Sequence, residues 1–507
     1  AYFHNADADG HAWPYIFSYR QWYANTVIGD HERIEETLRF YAARQQPDGG
    51  LTGSDMALRD TWCQTWQPSY VDQLHQHWRW TGDTDLVRDL WPAVQRALDF
   101  QQRVLDPNGD GLYIAPSNSE WWGCDFHWKG PKAALASAIT WRAFVCAAEL
   151  AGALGDAEAE HTYRAEAARM RERIFAELWQ PARGLLCSVY AGDVRQERPE
   201  AMEAYVPIWA GLVDERQAHT MLRFIRDELV VRSSQGNAYM FMNDWWPLVW
   251  SHHMVSPGET SEACLAFFKS GDAETGWALL QPVAHSVLRS ASPNFQPVMT
   301  PNGGQDFLQH DFGMSWGPYI RAVVEGLFGL DAHVPEGRLI VAPNLPAAWQ
   351  EASIDVADLG YHYQRDATGI TLAIRAARPL AVQVALPVRA AVRAVRVDGA
   401  PVAYRLEPAV GRCLLRLETP ATTQATVRVD LAPEPVQVFY PAEVVAGEPL
   451  ALQVQAGELL GVTTAQGDVL PSATTASGAT VSLEGTGPAT LFAEVQQQNC
   501  RFWEPLD

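Results

Sequence analysis

The chain has 507 residues, of which 47% are hydrophobic and 19% charged, and its formal net charge is -22 at pH 7. This composition is typical of a soluble globular protein with about two to four domains and a sizeable core. The acidic balance has no basic tract to offset it, which argues against a nucleic-acid partner. Because no window approaches about 18 uninterrupted apolar residues, we expect neither a transmembrane helix nor a membrane partner.

The seven cysteines are scattered and show no CxxC spacing. They are therefore expected to be mostly buried thiols, and not a disulfide framework or a zinc site. The sequence begins "AYFHNADADG", with neither an initiator Met nor a signal peptide. A mature bacterial enzyme would be periplasmic or secreted if a signal peptide has been removed, and cytoplasmic otherwise; the oligomeric state is left open.

Helical periodicity dominates the first part of the chain. Amphipathic stretches such as "DHERIEETLRFYAARQQ", "DLVRDLWPAVQRALDFQQRVL" and "AEAEHTYRAEAARMRERIFAELW" alternate with apolar ones such as "SYVDQLHQHWRW", "AALASAITWRAFVCAAELA" and "AYVPIWAGLV". Short Gly/Asp turns join them, which predicts antiparallel hairpins with an apolar inner helix and an amphipathic outer helix. About eleven such helices precede residue 330. The prediction is an (α/α)6 toroid over residues 1–332.

After residue 332 the segments are short, β-branched and separated by Pro and Gly, as in "GRLIVAPNLP", "GITLAIRA" and "TQATVRVDLAP". This pattern predicts an antiparallel β-sandwich over residues 333–433. A second β segment over residues 434–507 either forms a module of its own or completes the sandwich.

The helical part carries the residues that suit a sugar site. Of the 20 Trp, 18 precede residue 331. Aromatic faces pack against the C–H faces of sugars and carboxylates bind their hydroxyls, although Trp is also good packing material for an inner ring. Glycoside hydrolysis needs two carboxyl groups. Four segments beside the apolar helices offer them: Glu120 and Asp125; Glu203; Asp244, Glu259 and Glu262; Asp306 and Asp311.

The order of these segments resembles the six-hairpin glycosidase superfamily, which includes trehalases, processing α-glucosidases and α-L-rhamnosidases. The resemblance covers roughly residues 15–430, and its members carry an (α/α)6 barrel, several with a β-sandwich after it. The stretch "SEWWGCDFHW" is similar to the trehalase-type "ESGWD" loop, "NDWWPLVWSHHMV" to a Trp-rich segment over the substrate, and "GGQDFLQHDFGMSWG" to the segment after the catalytic base.

That resemblance implies a glycoside hydrolase that needs no cofactor or metal, with Asp125 as general acid. The stretch "PNFQPVMTP" has no Glu where the trehalase-like base would fall. The base is therefore expected to be Asp311, ahead of Asp306 and Glu259. The expected substrate-binding residues are Glu120, Trp121, Trp122, His127, Trp128, Glu203, Trp245, Trp246, His252, His253 and Trp316.

The mechanism implied is inversion, in which the acid and the base lie about 6.5–9.5 Å apart to admit a water molecule. Three alternatives stay open: a polysaccharide lyase acting on a uronic acid, a glycoside phosphorylase, and a non-catalytic carbohydrate-binding protein. The turn "DPNGDG" resembles half of a calcium loop, but position 12 would be Ser117 and not Glu, which favours an Asx-type turn.

Overall fold

The computed structural model describes most of the chain: residues 5–6, 12–13, 19–51, 66–115, 130–190, 192–196, 198–244, 255–289, 296–299, 305–309, 316–445, 448–470, 472–482 and 489–507. Contacts divide the chain into two compact units. The first comprises residues 1–214, 224–267 and 275–323, and the second residues 215–223, 268–274 and 324–507. The predicted domain boundaries at 332/333 and 433/434 stay predictions.

Eleven α-helices lie in the described residues, in agreement with the sequence periodicity. Two of them continue as π-helical turns, Ile225–Leu229 after α8 and Ala322–Leu327 after α11. The helices are α1 (Tyr19–Ile28), α2 (His31–Ala43), α3 (Trp66–Thr81), α4 (Thr84–Leu105), α5 (Ala134–Leu154), α6 (Ala157–Glu177), α7 (Ala201–Ala210), α8 (Glu215–Phe224), α9 (Pro257–Lys269), α10 (Ala273–Arg289) and α11 (Trp316–Arg321).

The helices alternate between an inner ring and an outer layer. Helix α1 packs against α3 and α11, and α5 packs against α3 and α7, so the last inner helix returns to the first. The hydroxyl of Tyr205 on α7 donates a hydrogen bond to Glu259 on α9. The odd-numbered helices therefore form the inner ring, and the predicted (α/α)6 toroid is confirmed.

Local sequence explains the hairpins. Helix α5 ends at Gly155, whose φ of 76° lies in the left-handed region that glycine favours, and the next residue, Asp156, accepts a hydrogen bond from the N–H of Ala159 at the start of α6. Helix α5 therefore runs antiparallel to the outer helix α6. The end of the ring at which the amino ends of α5, α7 and α9 are joined by hydrogen bonds is called the mouth below.

Short antiparallel ladders accompany the helices. They are β1 (Asn5–Ala6) with β2 (Ala12–Trp13), β3 (Trp179–Gln180) with β4 (Leu185–Leu186), β5 (Val189–Tyr190) with β6 (Val194–Arg195), β7 (Val230–Arg232) with β8 (Ala238–Met240), and β9 (Gln296–Met299) with β10 (Gln305–Gln309).

The second unit begins with a β-sandwich whose two sheets share one long strand. Strand β15 pairs with β14 and β20 along its first half, and with β12 and β19 along its second half. The β12–β15 pair is parallel, unlike the all-antiparallel pattern expected. The strands are β11 (Leu330–His333), β12 (Arg338–Val341), β13 (Glu351–Asp355), β14 (Leu359–Asp366), β15 (Gly369–Val388), β16 (Val392–Val397), β17 (Ala400–Pro401), β18 (Arg405–Ala409), β19 (Arg412–Glu418) and β20 (Thr422–Leu431).

Two smaller sheets follow in the same unit. One has the order β21-β22-β25-β24 and the other β23-β26-β27. Asn499, in the turn between β26 and β27, exchanges hydrogen bonds with the backbone of Val392, which ties this part to the sandwich. The strands are β21 (Gln437–Phe439), β22 (Leu450–Gln455), β23 (Glu458–Thr464), β24 (Ser472–Thr475), β25 (Gly478–Val481), β26 (Leu491–Gln497) and β27 (Cys500–Leu506).

Two sequence expectations concern burial. The five described cysteines, Cys146, Cys187, Cys264, Cys413 and Cys500, are buried free thiols, as predicted. Of the helices in the described ranges, α5 is the one whose length and composition would suit a membrane span. However, 78% of its apolar window is buried inside the protein, as expected for an inner-ring helix.

Candidate active site

The amino ends of α5, α7 and α9 are joined at the mouth by buried polar side chains. The hydroxyl of Ser188 accepts a hydrogen bond from the N–H of Ala134, the first residue of α5, at 2.9 Å. The same hydroxyl donates to Glu203, the third residue of α7. Ser188 therefore joins the amino ends of α5 and α7.

Glu259 is the predicted catalytic residue whose side chain the structure describes. It lies in the first turn of α9, is fully buried, and accepts a hydrogen bond from the hydroxyl of Tyr205. Its own N–H donates to the hydroxyl of Ser256 at 3.5 Å. The first contact holds the carboxylate of Glu259 against α7, and the second fixes the backbone at the start of α9.

Two predicted substrate-binding residues also lie at amino ends of inner helices. Trp316, the first residue of α11, is partly exposed. Glu203 is fully buried, and both of its carboxylate oxygens accept protein hydrogen bonds, one from Ser188 and one from the N–H of Glu200 at 3.1 Å. Tyr205 and Ser188 were not expected as site residues from the sequence, although Tyr205 stands two residues after Glu203.

Most other predicted site residues lie outside the described residues, and their roles stay predictions. Asp306 belongs to strand β10, but its side chain is not among those described. The others are Glu120, Trp121, Trp122, Asp125, His127, Trp128, Trp245, Trp246, His252, His253 and Asp311.

The two ends of the segment that contains Asp125 are described and lie together. Ala115 and Gly130 form a β-bridge, and the N–H of Ala115 donates to the carbonyl of Gly130 at 3.4 Å. Gly130 has a φ of 83°, a conformation that favours glycine. Residues 116–129, called the acid segment below, therefore leave and rejoin the described structure at one point, just before α5.

A buried ion pair lies inside the ring, further along the inner helices. Asp72 on α3 accepts hydrogen bonds from the Arg142 guanidinium at 3.0 Å and from the Cys146 thiol at 3.4 Å, both on α5. Burial by itself raises the pKa of Asp72, but the charges of Arg142, Arg321 and His75 outweigh it and hold the pKa at about 2. Asp72 is therefore ionised at neutral pH.

Aromatic rings hold a second guanidinium in the ring interior. The guanidinium carbon of Arg321, the last residue of α11, lies 5.5 Å from the ring centroid of Tyr23 on α1 and 4.8 Å from that of Trp209 on α7. These are cation–π distances. Arg321 on α11 thus contacts both α1 and α7, and its positive charge also lowers the pKa of Asp72.

The same region offers three potential metal ligands, and their surroundings do not fit a cation. Ligand atoms of Asp72, His75 and Cys146 lie within 4.8 Å of one another. However, Arg142 already neutralises Asp72, and burial raises the pKa of the Cys146 thiol well above its usual range, so the thiol keeps its proton. His75 binds the carboxylate of Glu149 at 2.7 Å. The cluster is a hydrogen-bonded ion-pair network.

The turn "DPNGDG" before the acid segment contains an Asx turn at Asp110, whose carboxylate accepts the N–H of Leu112 at 2.9 Å. The carboxylate of Asp106 accepts hydrogen bonds from the N–H groups of Asp110 and Gly111, at 3.0 and 2.9 Å. From the outer helix α6, Arg169 donates to the carbonyl of Gly109 at 2.9 Å, and Arg173 to that of Asp110 at 3.2 Å. Two guanidinium groups thus contact the turn.

Comparison with known proteins identifies the type of catalytic domain. Residues 120–236, which run from the acid segment through α7 and α8, match the family described as "Mannosylglycerate hydrolase MGH1-like glycoside hydrolase domain". The chain carries a glycoside hydrolase domain. No curated protein sequence matches the chain.

Solved structures share the fold of this glycoside hydrolase. An α-L-rhamnosidase from Dictyoglumus thermophilum has a TM-score of 0.57 at 11% identity, over 83% of this chain and 46% of that chain. A GH63 mannosylglycerate hydrolase from Thermus thermophilus, in complex with Tris and D-glycerate, has a TM-score of 0.52 at 14% identity, over 64% and 95%. A Streptomyces avermitilis α-L-rhamnosidase complexed with L-rhamnose has a TM-score of 0.50 at 15% identity, over 80% and 38%.

These findings confirm two predictions, the resemblance to the six-hairpin glycosidases and the assignment as a glycoside hydrolase. The chain spans less than half the length of the two rhamnosidases and nearly all of the mannosylglycerate hydrolase, with coverage of 46%, 38% and 95%.

Proposed function

We propose that this protein is an inverting glycoside hydrolase in which Asp125 is the general acid and a carboxylate of the 306–311 segment, Asp311 first, is the general base. The observation that carries this proposal is the shared mouth of the inner ring. The acid segment directly precedes α5, and the segment with Asp311 directly precedes α11. Each segment leads along the chain into an inner helix, and the amino ends of the inner helices α5, α7 and α9 are joined by buried hydrogen bonds.

In this mechanism Asp125 protonates the leaving oxygen while the base activates a water molecule on the opposite face of the sugar ring. The aromatic residues of the acid segment, Trp121, Trp122 and Trp128, would pack against the sugar and exclude water. An apolar setting raises the pKa of a carboxylic acid, which keeps a general acid protonated near neutral pH.

We propose a manno-configured sugar at the cleaved bond. Two structural relatives are described as rhamnosidases and one as a mannosylglycerate hydrolase, and L-rhamnose is 6-deoxy-L-mannose. D-Mannose and L-rhamnose both carry an axial hydroxyl at C2, next to the carbon that is attacked. A substrate panel should therefore compare α-D-mannosides, including mannosylglycerate, with α-L-rhamnosides and with α-D-glucosides as the equatorial control.

The first experiment compares wild type with Asp125→Asn on two glycosides of the same sugar, one natural and one with a 2,4-dinitrophenyl leaving group. Loss of the acid should lower kcat on the natural substrate by about 10²- to 10⁴-fold. The dinitrophenolate leaves without a proton, so kcat on the activated glycoside should fall far less. Asp110→Asn, in the Asx turn before the acid segment, is the matched control and should lower neither rate selectively.

Variants of the base should behave differently. Asp311→Asn, or in turn Asp306→Asn or Glu259→Gln, should lower the rates on both substrates equally, because water activation is needed whatever the leaving group. Proton NMR of the first product should show an inverted anomeric centre. A retained centre would contradict inversion, and an ultraviolet-absorbing double bond in the product would make the protein a lyase instead.

A further inference from the structure

Two buried cysteines meet where the three-stranded sheet β23-β26-β27 packs against the sandwich. Cys413 on β19 is the cross-strand partner of Val388 on β15, and the sulfur of Cys500 on β27 lies 3.9 Å from the carbonyl oxygen of Val388. The thiols of Cys413 and Cys500 form a hydrogen bond with each other. Both residues are buried. The two sulfur atoms are therefore in contact, which a disulfide bond requires.

Other contacts fix β27 against the sandwich beside this pair. The N–H of Gly411, just before β19, donates to the carbonyl of Trp503 at 2.7 Å. Arg389 donates to the carbonyl of Gly411 at 2.8 Å and pairs with the carboxylate of Glu504 at 2.9 Å. The relative position of β19 and β27 is therefore set by groups other than the two thiols, and a bond between the sulfur atoms needs no new arrangement of the strands.

The two thiols differ in acidity, as thiol–disulfide exchange requires of an attacking and a resolving cysteine. The hydrogen bond with the Cys500 thiol holds the pKa of Cys413 below its usual range, whereas that contact and burial raise the pKa of Cys500. Because the thiolate is the nucleophile, Cys413 is the better attacking group. Strand β27 stands at the edge of its sheet, and local opening of such an edge exposes buried groups transiently.

We propose that Cys413 and Cys500 are a redox modification site, at which a low-molecular-weight disulfide such as oxidised glutathione converts the two thiols into a disulfide bond. The Cys413 thiolate attacks the S–S bond of the reagent and releases one thiol. The Cys500 thiolate then attacks the mixed disulfide and releases the second. The protein loses two electrons and two protons, and the reagent takes up both as it is reduced to two thiols.

The bond would join the sandwich to the sheet that follows it. Cys413 belongs to β19 and Cys500 to β27, so the disulfide closes a long loop that contains most of the two smaller sheets. Closing a long loop restricts the unfolded chain and so stabilises the folded state. The second unit should therefore be more stable in an oxidising environment than in a reducing one.

The test incubates the whole folded protein with oxidised glutathione or with dithiothreitol, then blocks free thiols with N-ethylmaleimide in denaturant and digests with trypsin. Cleavage on both sides of each cysteine gives peptides 413–416 and 429–501, which contain no other cysteine. Mass spectrometry should find these peptides linked in the oxidised sample, and separate and blocked in the reduced one. Blocked thiols in both samples, separate glutathione adducts, or a link to another cysteine would overturn the proposal.

Thermal unfolding of the same two samples measures what the bond does. We expect the Tm of the second unit to be roughly 5–15 °C higher in the oxidised sample. Cys413→Ser and Cys500→Ser each leave a single thiol of the pair and should abolish both the link and the shift in Tm. If a serine variant does not fold, the peptides of wild type decide. An unchanged or lower Tm in the linked protein would overturn the stabilising role.

The matched control is Cys264→Ser on the inner helix α9, which removes a buried thiol of the first unit and leaves the pair intact. The folded variant should form the same link and show the same shift in Tm. Loss of the link in this variant would mean that the exchange runs through Cys264, and would overturn the proposal. Cys146 and Cys187, also buried thiols of the first unit, should be blocked in every sample.

Discussion

Helices α5 and α6 have the same length and form one hairpin, yet their polar side chains lie in opposite environments. Both have 21 residues, but α5 is buried along almost its whole length whereas α6 buries Ala167, Met170 and Ile174. Arg142 and Glu149 of α5 pair with Asp72 and His75 on the inner helix α3, whereas Arg164 of α6 pairs with Glu160 one turn away, at the surface. The same residue type should therefore have a large energetic effect on an inner helix and a small one on an outer helix.

The largest difference is expected between two arginines of this hairpin. Arg142→Met on α5 leaves the buried carboxylate of Asp72 without its hydrogen-bonded cation, which should destabilise the protein by about 3–5 kcal/mol. Arg164→Met on α6 breaks a surface pair with Glu160, whose expected contribution is at most about 0.5 kcal/mol. Urea unfolding monitored by far-ultraviolet circular dichroism measures both.

The double variant Asp72→Leu/Arg142→Met sharpens this test. A buried pair replaced as a whole by apolar side chains is often nearly neutral, so the double variant should recover most of the stability lost by Arg142→Met. Equal losses for Arg142→Met and Arg164→Met would show that the inner ring does not depend on this pair.

The sequence predicts the ring well because the pattern that defines it is local. Apolar residues on every side of "AALASAITWRAFVCAAELA" and Gly–Asp at its end need no knowledge of other segments. The charged residues inside such a stretch, such as Arg142, are the one signal that could have pointed to the ion pair. Their partners could not be predicted, because Asp72 lies seventy residues away.

The candidate site is predictable in its residue types but not in its geometry. Clusters that combine aromatic and acidic residues mark the segments before inner helices, since loops are normally polar and exposed aromatic rings in them need a partner or a ligand. Ser188 stands outside such clusters, and nothing in the sequence marks Tyr205 as the partner of Glu259, although it lies two residues after Glu203. Both contacts follow only from the three-dimensional structure. Hydrogen bonds between the ends of different helices are therefore what the sequence leaves out.

A smaller contrast between the inner and outer helices concerns histidine. Burial, with a further contribution from the positive charge of His31, lowers the pKa of His77 on α3 from 6.5 to about 4. Between these two pH values the unfolded chain binds a proton that the folded protein does not, so stability falls as the pH falls. The free energy of unfolding should fall by about 3 kcal/mol in total over this range. Unfolding of wild type and His77→Gln at a series of pH values from 7 to 4 measures it.

The stability difference between wild type and His77→Gln should therefore shrink, or reverse, as the pH is lowered through this range. The matched control is His161→Gln on the outer helix α6, where the side chain is exposed. That variant should follow wild type at every pH. A constant difference between wild type and His77→Gln would contradict the buried neutral state of His77.

The smallest expected effect concerns the way the helices begin. Outer helix α4 is capped by its own neighbour, Asp83, which accepts the N–H of Leu86 at 2.9 Å, whereas inner helix α5 depends on the distant Ser188. A local cap stabilises one helix end and nothing else. Asp83→Ala should therefore cost about 1 kcal/mol, and Asp83→Asn much less, because Asn also caps well. Thermal unfolding measures both, and a loss from Asp83→Ala as large as that from Arg142→Met would mean that outer-helix ends support the ring as strongly as its interior does.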